Sequence, residues 1–261
     1  MTVFTPIFNA VKRDKSYVVS AVVTFSLVLM MLFQHNWQIK IGSNLPSAIP
    51  AFSEIKDVKE KKRQFFNYLR PFIAKENNRI KYKRALLNTL VTNLKNESYH
   101  SSVNIKKLNK LAREFGLSEK GILQNLEELK KRIDIIPSSL VLVQAANESA
   151  WGTSRFAVQA NNLFGQWCYS KGCGIIPKKR NTGSHHEVRK YNSIEASVAS
   201  YMRNLNSHRS YKELREIRAN LRSSGRLISG IKLAQGLSKY SERGEHYVKE
   251  LTQMIKQNRL E

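Results

Sequence analysis

Ser138-Ser139-Leu140-Val141-Leu142-Val143-Gln144-Ala145-Ala146-Asn147-Glu148-Ser149-Ala150-Trp151-Gly152-Thr153-Ser154 is an apolar run that ends in one carboxylate, followed by a tryptophan and a glycine. Capping hydroxyls follow Pro137, and Leu140 to Val143 is apolar nearly all round, so the stretch predicts a buried helix. Glu148 falls in its last turn. The helix C-terminus carries partial negative charge and Trp151 can exclude water, and both effects disfavour the ionised carboxylate and raise its pKa. A carboxyl kept protonated near neutral pH can donate a proton.

The surrounding chain bounds what such a group can serve. At 261 residues with a hydrophobic fraction of 41%, it can bury one core of ordinary size plus a smaller helical unit. Lys and Arg number 44 against 20 acidic residues, a net charge of +24, which implies an anionic environment or partner. Nucleic acid is the first candidate, but the N-terminus argues against it. Residues 16–33, Ser16 to Phe33, are uncharged and mostly apolar, long enough to cross a bilayer, and Lys12, Arg13 and Lys15 precede them. The positive-inside rule then keeps residues 1–15 in the cytoplasm and exports everything after Phe33. Gln34-His35-Asn36-Trp37 lacks a small-residue cleavage pattern, which favours an uncleaved anchor over a signal peptide. The expected location is therefore the inner membrane, single-pass, with the bulk of the chain facing the periplasm or cell exterior. The lysines are spread over many helices without a groove-reading motif, so no nucleic-acid partner is expected.

Export favours a disulfide-pinned loop for Cys168 and Cys173 in Cys168-Tyr169-Ser170-Lys171-Gly172-Cys173-Gly174, with a zinc site as the alternative. His185, His186, His208 and His246 show no metalloprotease or finger spacing, and no phosphate-cradling glycine loop is present. No metal and no cofactor are expected.

Five segments follow along the chain. After the tail (1–15) and anchor (16–33) comes a Gly-, Ser- and Pro-containing linker (34–52). Residues 53–134 read as an all-helical accessory region: Phe65, Leu69, Phe72, Ile73, Ile80, Leu87, Leu90, Val91 and Leu94 recur at helical spacing, and Pro71 should kink or divide that helix. Shorter helices follow through Val103, Leu108 and Leu111, and from Ser118 to Ile133. Its simplest role is packing or spacing. Residues 135–261 contain the Glu148 helix and a glycine-rich stretch in which Ser184 to Tyr191 forms part of a small β-hairpin. An amphipathic helix capped by Ser193 follows, with further helices over Tyr211 to Leu221, Ser224 to Gly236 and Gly244 to Gln257.

Three motifs in order carry a resemblance: Gln144 to Ser154, then Asn161-Asn162-Leu163-Phe164-Gly165, then Tyr191 to Tyr201. From Ile135 to Leu221 the chain resembles the glucosaminidase-type peptidoglycan hydrolases of the lysozyme-like superfamily. The two cysteines and Asn204 to Tyr211 point to their Bax-type branch. The resemblance implies a mainly α protein whose catalytic domain is a lysozyme-like α+β unit with a small hairpin lobe. It also implies hydrolysis of the β-1,4 bond following N-acetylglucosamine in peptidoglycan glycan strands, with Glu148 as general acid, in keeping with glycosidase chemistry. Alternatives are a muramidase or lytic transglycosylase on the same fold, or a peptidoglycan-binding protein without turnover.

The family often places a second carboxylate on a hairpin, which makes Glu187 the candidate, since Glu195 belongs to the following helix and suits a solvated face. Glu187 activating water across the cleft would give inversion, whereas assistance by the substrate's acetamido group needs no second carboxylate. Tyr191 and Tyr201 match aromatic positions that line the cleft and steady the sugar. Asn162, Phe164 and Trp167 are candidates for sugar stacking and hydrogen bonding. Tyr191, Tyr201 and Phe164 serve equally well as core.

Overall fold

Helix α1 (Val58–Lys95) runs unbroken past Pro71. Pro71 does not divide the helix, where one lost backbone hydrogen bond is offset by the burial of Phe65, Phe66, Leu69, Phe72 and Ile73 on both sides of the proline. The computed structural model describes residues 45, 48–95, 102–178 and 183–261. The stretch 16–33 lies outside them, and among the described residues no helix is long and apolar enough to cross a membrane. From Pro46 onward the chain forms one compact unit.

The described part is mainly helical. After α1 come α2 (Ser102–Glu114), a short 3-10 turn (Ile122–Asn125), α3 (Leu126–Arg132), α4 (Ser138–Glu148) and α5 (Arg155–Ala160). Three short strands follow, β1 (Trp167–Cys168), β2 (Gly174–Ile175) and β3 (Glu187–Arg189), and then α6 (Ile194–Ser207), α7 (Lys212–Ser223), α8 (Gly230–Ala234) and α9 (Glu245–Gln257). The strands pair antiparallel in the order β1-β3-β2, with Trp167 opposite Val188 and Ile175 opposite the same Val188. Ser193 caps α6 by accepting the Ala196 N–H.

Helix α4 is the centre. Every residue from Ser139 to Ala146 is buried, and α1, α8 and α9 pack around it. This all-round burial is what its nearly uninterrupted apolar sequence requires. The two serines after Pro137 do not cap it; Ser139 instead donates its hydroxyl to the Glu261 carboxylate at 2.9 Å.

The segment feeding α4 is held by charge. Arg218, fully buried, donates to the main-chain oxygens of Lys131, Asp134 and Ile135 and to Asn206 Oδ1 at 2.7–3.0 Å. Asp134 takes a two-pronged contact from Arg222 at 2.6 Å through both oxygens. A guanidinium without water is tolerable only when its donors find such acceptors.

The turn leaving α4 is equally determined. Ala150, Trp151 and Gly152 all have positive φ (49°, 59° and 79°), and the Ser149 hydroxyl bridges the turn by donating to the Ala145 carbonyl and accepting the Gly152 N–H. This reversal carries the Trp151 ring onto α1, with centroids 5.8 Å from Phe65 and 5.3 Å from Phe66 and the Lys62 ammonium 5.0 Å above it. Gly152 sits so close to Phe52 that a Cβ would lie 2.7 Å from its ring. Gly152→Ala should therefore lower stability by roughly 2–4 kcal/mol, combining left-handed strain with overpacking. A denaturant midpoint within error of the parent would show that this junction is loose.

Candidate active site

Glu148 lines a cleft of about 1020 Å³ bounded by α6, the strands and the loop between α5 and β1. The last turn of α4 brings it there half-buried. Its Oε1 accepts a hydrogen bond from Tyr247 Oη on α9 at 2.9 Å. Its Oε2 lies beside Gly165, where a Cβ would come within 3.8 Å of it.

Behind Glu148 the polar groups form a directed series. Tyr201 Oη donates to Gln144 Oε1, Gln144 Nε2 donates to Tyr247 Oη at 3.0 Å, and Tyr247 spends its own proton on Glu148. Burial pushes the Tyr201 and Tyr247 hydroxyls far above the ordinary phenol range, so both stay protonated and keep donating. Burial also raises the Glu148 pKa above the ordinary carboxylate value; the Tyr247 hydrogen bond, the Arg243 charge and Asn147 oppose the shift, and Glu250 adds to it. Oε1 thus accepts from Tyr247, while Oε2 is the oxygen beside Gly165. Trp151, expected to provide the shield, is absent from the lining of the cleft and packs on α1 instead.

The floor is aromatic. Phe164 stacks face to face on Tyr201 with centroids 3.9 Å apart, and Tyr240 stacks on Tyr247 at 5.5 Å while its hydroxyl donates to the Phe164 carbonyl at 3.0 Å. Phe164 and Tyr240 border the cleft, whereas Tyr201 is wholly enclosed behind Phe164 and is linked to Glu148 by hydrogen bonds through Gln144. Tyr191 lines the cleft, donates to Gln166 Oε1 at 2.8 Å and lies 2.9 Å from Ser200 Oγ. Trp167 is 54% exposed and stacked on His186 at 4.0 Å, leaving its other face open to the cleft side.

Two candidates turn out to organise loops. Asn162, 1% exposed, donates to the carbonyls of Gln166 and Arg189 and accepts the N–H groups of Phe164 and Gln166. Its amide knots the 162–166 loop to β3 and has no place on the cleft wall. Glu187 is also buried, and its two oxygens accept the N–H groups of Gly172 and Gly174 at 2.9 and 2.7 Å. It lies across from Cys168, not across from Glu148. Cys168 and Cys173 are joined, S–S 1.99 Å, so the Glu187 carboxylate orders the loop that the bridge closes. The three side chains come within 4.8 Å of one another, but a disulfide leaves no thiolates for a metal. Among the described residues Glu148 is the one carboxylate lining the cleft.

Gln166, Tyr169, Tyr211, Tyr240 and Tyr247 belong to the site without having been picked out from sequence. For Tyr247 a signal exists: it shares an apolar face with Val248, Leu251 and Ile255, and a phenol placed in such a face needs a buried partner.

Comparison with known proteins agrees with this geometry. The model of the glucosaminidase family, described as mannosyl-glycoprotein endo-β-N-acetylglucosaminidase, matches residues 123–260. The chain is 30% identical over 214 residues to Protein bax of Escherichia coli (strain K12), covering 81% of this chain and 75% of that protein. No solved structure matches. A cleft with one half-buried carboxyl on an aromatic floor is compatible with glycoside hydrolysis. The chain belongs to the glucosaminidase family of glycoside hydrolases, with a Bax-type relative.

The raised pKa of Glu148 has a thermodynamic consequence. Between the unfolded carboxyl value of about 4.5 and the raised folded value, the folded chain holds more protons than the unfolded one, so stability falls as pH rises through that window. Glu148→Gln abolishes this loss. Its stability relative to the parent should rise as pH increases above about 4.5 and level off beyond the raised value in denaturant titrations, and a difference independent of pH would show that Glu148 ionises as in water.

Proposed function

We propose that the chain is a peptidoglycan hydrolase that cleaves the β-1,4 bond following N-acetylglucosamine, with Glu148 as general acid. The observation that carries this is the asymmetric carboxyl: Oε1 fixed by Tyr247, Oε2 beside Gly165 in the cleft. As the glycosidic oxygen approaches, Oε2 delivers its proton and the bond to the anomeric carbon opens toward an oxocarbenium-like state. The negative charge left on Glu148 is then stabilised by the donor series from Tyr201 through Gln144 to Tyr247, which points toward the carboxylate at every link. Phe164 and Trp167 offer apolar faces to pyranose rings, and Tyr191 and Gln166 offer hydrogen bonds to their edges.

Glu187 is not part of this mechanism, because both its oxygens serve backbone amides. With a single carboxylate on the cleft, assistance by the substrate's own acetamido oxygen replaces a protein nucleophile. The same single carboxylate also suits a lytic transglycosylase, in which a sugar hydroxyl closes on the anomeric carbon. The domain is read as lysozyme-like on its mixture of a central buried helix, a terminal glutamate and a small three-stranded lobe. Residues 16–33 are taken as an anchor that leaves the cleft facing the wall, supported by their apolar sequence after Lys12, Arg13 and Lys15. Residues 53–134 then act as a buttress for the catalytic part.

Isolated sacculi digested with the purified chain should yield fragments with new N-acetylglucosamine reducing ends by mass spectrometry, and Glu148→Gln should lower the rate about 10²–10⁴-fold while remaining folded. Anhydro ends would select the transglycosylase, and wild-type-like turnover by the folded variant would remove Glu148 from the chemistry.

A further inference from the structure

Helix α6 presents Ser200, Arg203, Asn204 and Ser207 to the cleft, the spacing of one helical face. Arg189 enters the same cleft from β3. Both guanidinium groups are exposed, and among the described residues neither is engaged in an ion pair. Their neighbourhood is shared: the positive charges of both act on the Tyr191 hydroxyl, which sits between β3 and α6 and is bonded to Ser200. This contrasts with the arginines of the framework. Arg79, Arg113, Arg132 and Arg222 all reach carboxylates, and other arginines that among the described residues do not, such as Arg70, Arg209, Arg226 and Arg259, lie off the cleft.

A neutral polysaccharide can accept hydrogen bonds from guanidinium groups but leaves their fixed charge unmatched. Hydroxyls of a sugar are served well enough by Ser200, Asn204, Tyr191 and Gln166, which line the same wall. Paired forks of N–H donors with fixed charge match carboxylates, in geometry as well as in sign. We infer that Arg189 and Arg203 form a subsite for the free carboxylates of peptide branches carried on the glycan, so that the enzyme selects a peptide-substituted anionic strand over an uncharged one. This rests on the proposed glycosidase activity and adds its substrate selectivity. The overall charge of +24 attracts the chain to any anionic polymer. The two arginines differ from that diffuse field because they sit where the strand must lie for Glu148 to act.

The test compares three glycans: peptide-bearing glycan strands, the same strands with their carboxyls converted to amides, and a neutral β-1,4-linked N-acetylglucosamine oligomer. At low salt the full-length chain should show at least about tenfold higher kcat/KM on the native strands than on the amidated ones, the size of one or two charge-assisted contacts. In the Arg189→Gln, Arg203→Gln double variant that ratio should fall toward one, and lysine at both positions should restore part of it. Binding is read separately. Glu148→Gln protein sedimented with native and amidated sacculi should show the same preference, reduced, when the two arginines are also replaced, to the part that the diffuse charge supplies. That replacement removes only two of 44 basic residues and leaves the diffuse attraction nearly intact. Equal kcat/KM on native and amidated strands, or equal sedimentation with both, overturns the subsite. Cleavage of none of the three glycans refutes the glycosidase assignment itself, while the sedimentation comparison still decides the subsite.

Discussion

The carboxyl group of Glu148 is held between two opposing demands, and the rest of the structure follows from how they are met. Burial at the end of α4 favours the neutral acid, which is the form able to give up a proton. The Tyr247 hydroxyl at Oε1 favours the anion, which is the form left behind. A group too deeply desolvated would hold its proton through the reaction, and one too well solvated would have lost it beforehand. Helix α9 supplies that hydroxyl, and α1, α8 and α9 pack around the helix that carries Glu148.

Such a balance needs rigid support. Arg218, Arg222 and Asp134 immobilise the chain entering α4, and the left-handed turn at Ala150, Trp151 and Gly152 immobilises the chain leaving it. Trp151 links this turn to α1, so the helical region before residue 135 is joined to the frame of the site by direct aromatic packing. A spacer would have needed no such contact. The disulfide and Glu187 do the corresponding work for the strands, holding β3 where Arg189 and the Tyr191 loop face the cleft.

Much of this was legible in the sequence because it depends on local patterns. The apolar run into Glu148 marked a buried helix ending in an acid, Ser193 marked the start of α6, and the cysteine spacing marked a closed loop. What was illegible depends on which face meets which. A tryptophan three residues after Glu148 seemed a natural shield, but two non-glycine residues at positive φ turn it away, and no propensity announces that conformation. Glu187 looked like a free hairpin carboxylate because nothing in its neighbours reveals that the glycine amides of the cysteine loop fold over it. Tyr201, which the sequence suited to either cleft wall or core, is enclosed and linked to Glu148 through Gln144 and Tyr247. Pro71 does not divide its helix, since one packed through Phe65, Leu69, Phe72 and Ile73 can carry one missing hydrogen bond.

The cleft thus combines one half-buried carboxyl, an aromatic floor and a basic rim in no ion pair among the described residues. The first of these is the foundation, and it can be measured without substrate. Carbon-13 NMR titration of the glutamate carboxyls, with Glu148 assigned by its loss in Glu148→Gln, reads the proton affinity directly. A midpoint above the ordinary glutamate value of about 4.5 is the expected result. A midpoint at or below that value would show Glu148 fully ionised at neutral pH and would contradict its role as the acid.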